Sequence, residues 1–149
     1  MIIVEGKDPH HPQVKALLKQ SHATMQSLFP PEDNFHLDID DLVDPKIHFY
    51  AARVGTDFCG TGALKVNHGY GEVKSMFVAE DARGKGVADA ILRQIEDQAR
   101  ADGLPVLKLE TGNVLHAAHR LYRRFGFKDC GVFGDYAEAK SSIFMEKKL

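Results

Sequence analysis

A chain of 149 residues, 44% hydrophobic and 27% charged, can bury a sizeable core and is expected to form a single domain over residues 1–149. A formal charge of −2 and a pI near 6.4 argue against bulk nucleic-acid binding, which shows as a basic domain. No apolar run reaches the length of a membrane span, Met1–Glu5 lacks the features of a signal peptide, and Cys59 and Cys130 have neither the number for a disulfide framework nor the spacing of a zinc site, so the expected setting is the cytoplasm, with no membrane and no metal.

Ile2 to Val4 suits a first strand, followed by a breaker-rich loop from Gly6 to Pro12 whose adjacent His10 and His11 read as solvated for want of a partner ligand. Val14, Leu17, Leu18, Ser21, Met25, Leu28 and Phe29 recur on one helical face, and Pro30-Pro31 ends that helix. Pro31 to Pro45 is acidic, with Phe35, Leu37, Ile39, Leu42 and Val43 irregularly spaced. It suits a loop with a short helix at Ile39 to Val43, either flanking a binding cleft or serving as an ordinary acidic connection. Ile47 to Val54 and Phe58 to Val66, joined by Gly55-Thr56-Asp57, predict a hairpin that Tyr70 to Val78 extends into a meander. Period-two alternation in that third strand puts Glu72 on the face of Lys74 and Met76, opposite Val73, Ser75 and Phe77.

The next helix carries Ala88, Ile91, Leu92, Ile95 and Ala99 on one face and ends at Asp102-Gly103. Pro105 to Glu110 is then a strand, parallel to the Glu72 strand through a right-handed crossover. A further helix places Leu115, Ala118, Tyr122 and Phe125 on one face and stops at Gly126. Phe127 to Phe133 and Ser142 to Met145 supply two closing strands.

Glu72 to Arg100 organises the rest: an apolar strand, an acidic turn, a glycine-rich basic loop and an amphipathic helix. A loop feeding a helix N-terminus favours an anion, because the first N–H groups lack intrahelical partners and the dipole is positive there. Gly84 and Gly86 let backbone approach the anion with no Cβ in the way. The Walker pattern is absent, and the dinucleotide fingerprint fails because Asp89 holds its last small position. A glycine-rich turn with solvated basic residues is the plain alternative. What fits is Arg/Gln-x-x-Gly-x-Gly/Ala, carried by Arg83, Gly86 and Ala88.

With that loop the chain resembles the GNAT N-acetyltransferase superfamily, in a bacterial subgroup acting on small molecules or peptides. The resemblance covers the element order of essentially the whole chain. It is sharpened by Ala118 to Phe127, which matches Ala-x-x-Leu-Tyr-x-x-x-Gly-Phe, and by Leu109-Glu110-Thr111-Gly112 with Phe144 to Lys147. It implies an α+β (mixed α/β) fold, with a central, mostly antiparallel twisted sheet of about six or seven strands flanked by about four helices.

The resemblance also implies acetyl-CoA as cosubstrate and a primary amine as acceptor, leaving a homodimer open. The backbone of Met76, Phe77 and Val78 would pair with the pantetheine arm, and Arg83, Gly84, Lys85, Gly86, Val87 and Ala88 would hold the pyrophosphate. Ala118 and Tyr122 extend the coenzyme site. Asn113 is the candidate loop asparagine, although the family spacing of seven before the tyrosine falls on Leu115. Tyr122 is the candidate acid for the departing thiolate and Glu72, eleven positions before Arg83, the candidate base. Lys85, Arg120, Arg123 and Arg124 could meet phosphates or stay solvated. A non-catalytic acyl-CoA-binding module remains the alternative, since fold and loop license binding before turnover.

Overall fold

The computed structural model describes residues 1–34 and 37–149, so Phe35 of the acidic stretch lies outside the described residues. Strands β1 (Ile2–Gly6), β2 (Ile47–Val54), β3 (Asp57–Asn67), β4 (Tyr70–Val78), β5 (Val106–Gly112), β6 (Lys128–Asp129) and β7 (Ser142–Lys148) form one sheet, ordered β1-β2-β3-β4-β5-β7-β6. Every neighbouring pair is antiparallel except β4 and β5, which run parallel as the crossover required.

Helices α1 (Pro12–Leu28), α2 (Val87–Ala101) and α3 (His116–Arg124) are, among the described residues, one α-helix fewer than expected. The acidic stretch supplies only 3₁₀ turns, at Pro31–Asp33 and Ile39–Val43, and a third such turn spans Glu80–Ala82. In the second of these, Asp41 accepts the backbone N–H of Asp38 at 3.1 Å, the local bonding by which aspartate favours a turn over a longer helix.

Alternation along the strands gives the sheet two apolar faces. Phe49, Ala51 and Ala63 pack with Val14 and Leu18 of α1 and with Leu42, while Tyr50, Ala52, Leu64, Val73 and Leu107 pack with Ile91, Leu92 and Ile95 of α2. Ile91, Leu92 and Ile95 are fully buried, each worth about 1.5–3 kcal/mol in water exclusion. Tyr122 and Phe127 join the α2 face, so α3 covers the same side. Leu28, expected on the inward face of α1, ends the helix 47% exposed, and the buried apolar residue there is Phe29.

The strand from Phe127 to Phe133 shrinks to Lys128–Asp129, because Phe133 leaves the ladder for an aromatic cluster, edge-on to Tyr70, Tyr136 and Phe144. His10 is not merely solvated. Its ring nitrogens bond Asp8 at 3.1 Å and Asp40 at 2.7 Å, tying the loop before α1 to the Ile39–Val43 turn. Among the described residues no His, Cys, Asp and Glu group could hold a metal ion, and no helix is long and apolar enough to cross a membrane.

Candidate active site

The parallel pairing of β4 with β5 is short: only Gly71 with Leu107 and Glu72 with Lys108 are in register. Beyond Glu72 the strands part, because β4 carries a bulge. Against β3, Thr61 pairs with Phe77 but Ala63 pairs with Lys74, and Ser75 sits at φ 57°, a left-handed conformation uncommon outside glycine. Thr61 Oγ1 donates to the Ser75 carbonyl at 2.8 Å, holding the bulge from the neighbouring strand.

The bulge changes which way Met76 points. Simple alternation placed it with Glu72 and Lys74, whereas its Sδ lies beside Ile91 and Ile95, against Gly62, on the α2 side with Val73. One extra residue in β4 reverses every side chain after it. Phe77 and Val78 keep their ladder to β3 while, among the described residues, the edge of β4 facing β5 has no ladder partner beyond Glu72, which leaves backbone groups for an added extended chain.

Downstream, the loop into α2 has the geometry of an anion cradle. Gly84 and Gly86 adopt φ 76° and 86°, Gly86 is the N-cap, and no side chain caps the helix. Among the described residues, chain neighbours aside, a Cβ on either glycine would meet no atom within 4 Å, so the backbone is open on that side. Arg83 folds back, its Nε donating to the Val78 carbonyl at 3.1 Å, and Lys85 is exposed. Val87 is 2% exposed and anchors the first turn in the core, with Ala88 partly buried beside it. Asp89, which would repel an anion, is paired with Arg124 at 2.8 Å, and Arg123 bonds Asp129 at 3.0 Å, so both arginines have protein partners.

Between the parted strands lies a cavity of about 160 Å³, lined by Glu72, Lys74 and Met76 of β4, Glu110 of β5, and Ala118 and Tyr122 of α3. Glu72 is 5% exposed, its Oε2 accepting from Lys74 Nζ at 3.2 Å and from the Tyr136 hydroxyl at 2.5 Å. Tyr122 is 6% exposed and edge-on to Phe127. Burial, with the carboxylate of Glu110 adding to it, pushes its phenol far above the ordinary range, so it stays a neutral donor at working pH. Burial also raises the carboxyl of Glu110, with Glu72 and Asp33 adding to the shift, against a 2.9 Å hydrogen bond from Ser142 and the charge of Lys74.

The sequence-expected residues therefore fall into two connected places, the cradle at 83–88 and the cavity holding Glu72, Ala118 and Tyr122. Asn113 lies in neither; it is exposed, with its backbone N–H donating to the Ser141 carbonyl at 2.8 Å, while Leu115 lines the cavity. Sequence reasoning singled out neither Glu110 nor Tyr136 individually. Glu110 had a signal, standing one alternation step from the core residue Leu109. Tyr136 had none, being 64 positions from the carboxylate it touches.

The model of the acetyltransferase (GNAT) family matches residues 14–127. An IAA acetyltransferase of Azospirillum brasilense is 40% identical over 99% of this chain and 98% of its own. A Klebsiella pneumoniae structure assigned as an acyl-CoA N-acyltransferase superposes with TM-score 0.84 at 28% identity, covering 100% of this chain and 98% of that one. The fold is also that of the PaiA N-acetyltransferase of Thermoplasma acidophilum in complex with coenzyme A, with TM-score 0.75 at 15% identity, over 100% of this chain and 99% of that chain. The family match over most of the chain, the like fold and the cradle leading to a carboxylate–tyrosine cavity agree, and the chain belongs to the GNAT family as an acetyl-CoA-dependent acetyltransferase.

Proposed function

We propose that this acetyltransferase acts on a primary amine of a small molecule or peptide, by direct attack of the amine nitrogen on the thioester. The observation that carries this reading is the convergence of Glu72 and Tyr122 on one cavity, at the end of the unpaired β4 edge that leads from the 83–88 cradle. Backbone of Met76 to Val78 holds the pantetheine arm as an added strand, and the N–H groups of the cradle hold the pyrophosphate.

An alkylamine is protonated near neutral pH and must lose a proton before its nitrogen can attack. Glu72 takes that proton, directly or through a water. The nitrogen bonds the carbonyl carbon, the resulting oxyanion collapses, the C–S bond breaks, Tyr122 gives its phenolic proton to the leaving thiolate, and the extra proton on the amide nitrogen returns to the Tyr122 phenolate, while Glu72 releases its own to solvent. Because its phenol stays protonated, the proton is present when the thiolate forms.

Release of free thiol from acetyl-CoA, measured over a panel of amines and peptides, tests the proposal. IAA, from the name of the Azospirillum relative, is assayed beside that panel. Turnover with one class of amine, lost in Glu72→Gln and Tyr122→Phe, is the expected result; acetyl-CoA affinity without turnover for any acceptor would return the chain to a binding module. Cytoplasmic location and self-association as a homodimer belong to the same reading, and fractionation and sedimentation test them.

A further inference from the structure

We propose that Tyr136, on the loop between β6 and β7, is a positioning residue for Glu72 and makes the acceptor side of the site depend on that loop. This inference rests on Glu72 being the base.

The contacts form a closed triangle. Lys74 Nζ donates to the Tyr136 hydroxyl at 2.8 Å, that hydroxyl donates to Glu72 Oε2 at 2.5 Å, and Lys74 also reaches Oε2 at 3.2 Å. The hydroxyl thus relays one donor into another on a single carboxylate oxygen, fixing the rotation of the carboxyl group and directing its remaining lone pairs. The same oxygen could not be held this way by β4 alone, because Lys74 supplies a flexible point charge rather than a rigid directional donor.

Tyr136 is rigid because its ring is caged. Phe133 lies edge-on at 5.3 Å, Phe144 at 5.6 Å, and the Lys74 ammonium at 5.4 Å from the ring centroid. The loop is tied down at its far end, where Ser141 Oγ donates to Asp33 at 2.6 Å and the Ser141 carbonyl accepts from Asn113. Burial and the neighbouring carboxylates, Glu72 first among them, hold the Tyr136 phenol protonated, so it stays a donor across the working pH range. Among the described residues, the other charged groups facing Glu72 include Lys65 at its register position on β3 and Lys108 and Glu110 on β5, with the neutral phenol of Tyr70 on its own strand. Lys108 is bound to Glu146 at 3.1 Å and Glu110 accepts from Ser142, so neither substitutes for the hydroxyl.

Tyr136→Phe keeps the aromatic packing and deletes only the donor. We expect kcat to fall by about 10- to 100-fold, the cost of a slightly misplaced reacting group, with the KM for acetyl-CoA within about twofold of the parent. The acid limb of the kcat/KM profile should shift with it, a readout that lost packing alone would not move. In a Glu72→Gln background Tyr136→Phe should add almost nothing, since the group it positions is gone. A rate and acid limb unchanged in Tyr136→Phe, beside a large loss in Glu72→Gln, would overturn the positioning role and leave Glu72 as base. A loss that is pH-independent and multiplies with that of Glu72→Gln would also overturn it, as a packing effect. Glu72→Gln with undiminished activity would instead remove the base assignment on which the inference stands.

Discussion

Gly112 ends β5 under the ring of Phe29, the first residue after α1, and both line the cavity between β4 and β5. A Cβ at Gly112 would stand 2.9 Å and 3.0 Å from Cε2 and Cε1 of Phe29 and nearer still to Cζ, where ordinary carbon contacts are about 3.5–4.0 Å. Phe29 is 9% exposed and its ring is rigid, so Gly112→Ala displaces the whole side chain or the end of α1. Overpacking of this kind costs about 1–3 kcal/mol. At about 2–4 °C of Tm per kcal/mol for a chain of this size, the melting point should drop by about 2–12 °C. Because the displaced ring borders the cavity that holds Glu72 and is absent from the 83–88 cradle, the proposed function predicts that the KM for the amine rises several-fold while that for acetyl-CoA stays level. Calorimetry and steady-state kinetics read the two effects. Phe29→Leu removes all three clashing atoms, so in the double variant part of the lost stability should return, as a favourable coupling in the cycle. A Gly112→Ala protein that melts with the parent and keeps its amine KM would refute the reasoning, as would a double variant whose losses simply add.

At the cradle, Gly86→Val should nearly abolish coenzyme A binding while Lys85→Ala weakens it modestly. A β-branched residue is strained at φ 86° and puts a side chain in the anion's path, whereas a lysine gives only a screened charge; calorimetry on folded variants showing equal losses would contradict this. Tyr122→Phe should lower kcat by about 10² to 10⁴ with little change in the KM for acetyl-CoA, and an undiminished single-turnover rate would return Tyr122 to a packing role. Glu110 binds its proton more tightly in the folded chain than in the unfolded one, so it costs stability at neutral pH, and the cost vanishes as pH falls through its raised folded value. Glu110→Gln should therefore melt higher than the parent at pH 7, with the gap closing toward about pH 4, the unfolded range for glutamate; a pH-independent gap would rule that out.

What the sequence by itself determined is local. The β4–loop–α2 unit was legible because strand alternation, two glycines and the Ile91, Leu92 and Ile95 helical face are all written within 30 consecutive residues, and an anion cradle at a helix N-terminus needs nothing from elsewhere. Tyr122 was legible for the same reason, as an inward residue of a short amphipathic helix. Tertiary structure decided the rest. The bulge at Ser75 turned Met76 to the other face, and a period-two pattern cannot announce an extra residue whose cause is Thr61 on the neighbouring strand. The strand expected after Phe127 stopped at Asp129 because Phe133 gained more from aromatic partners than from a ladder, a competition set by Tyr70, Tyr136 and Phe144 from three separate segments. Glu72, Glu110 and Tyr136 share one site only because β4 and β5 part after two paired residues, a separation that no local pattern encodes.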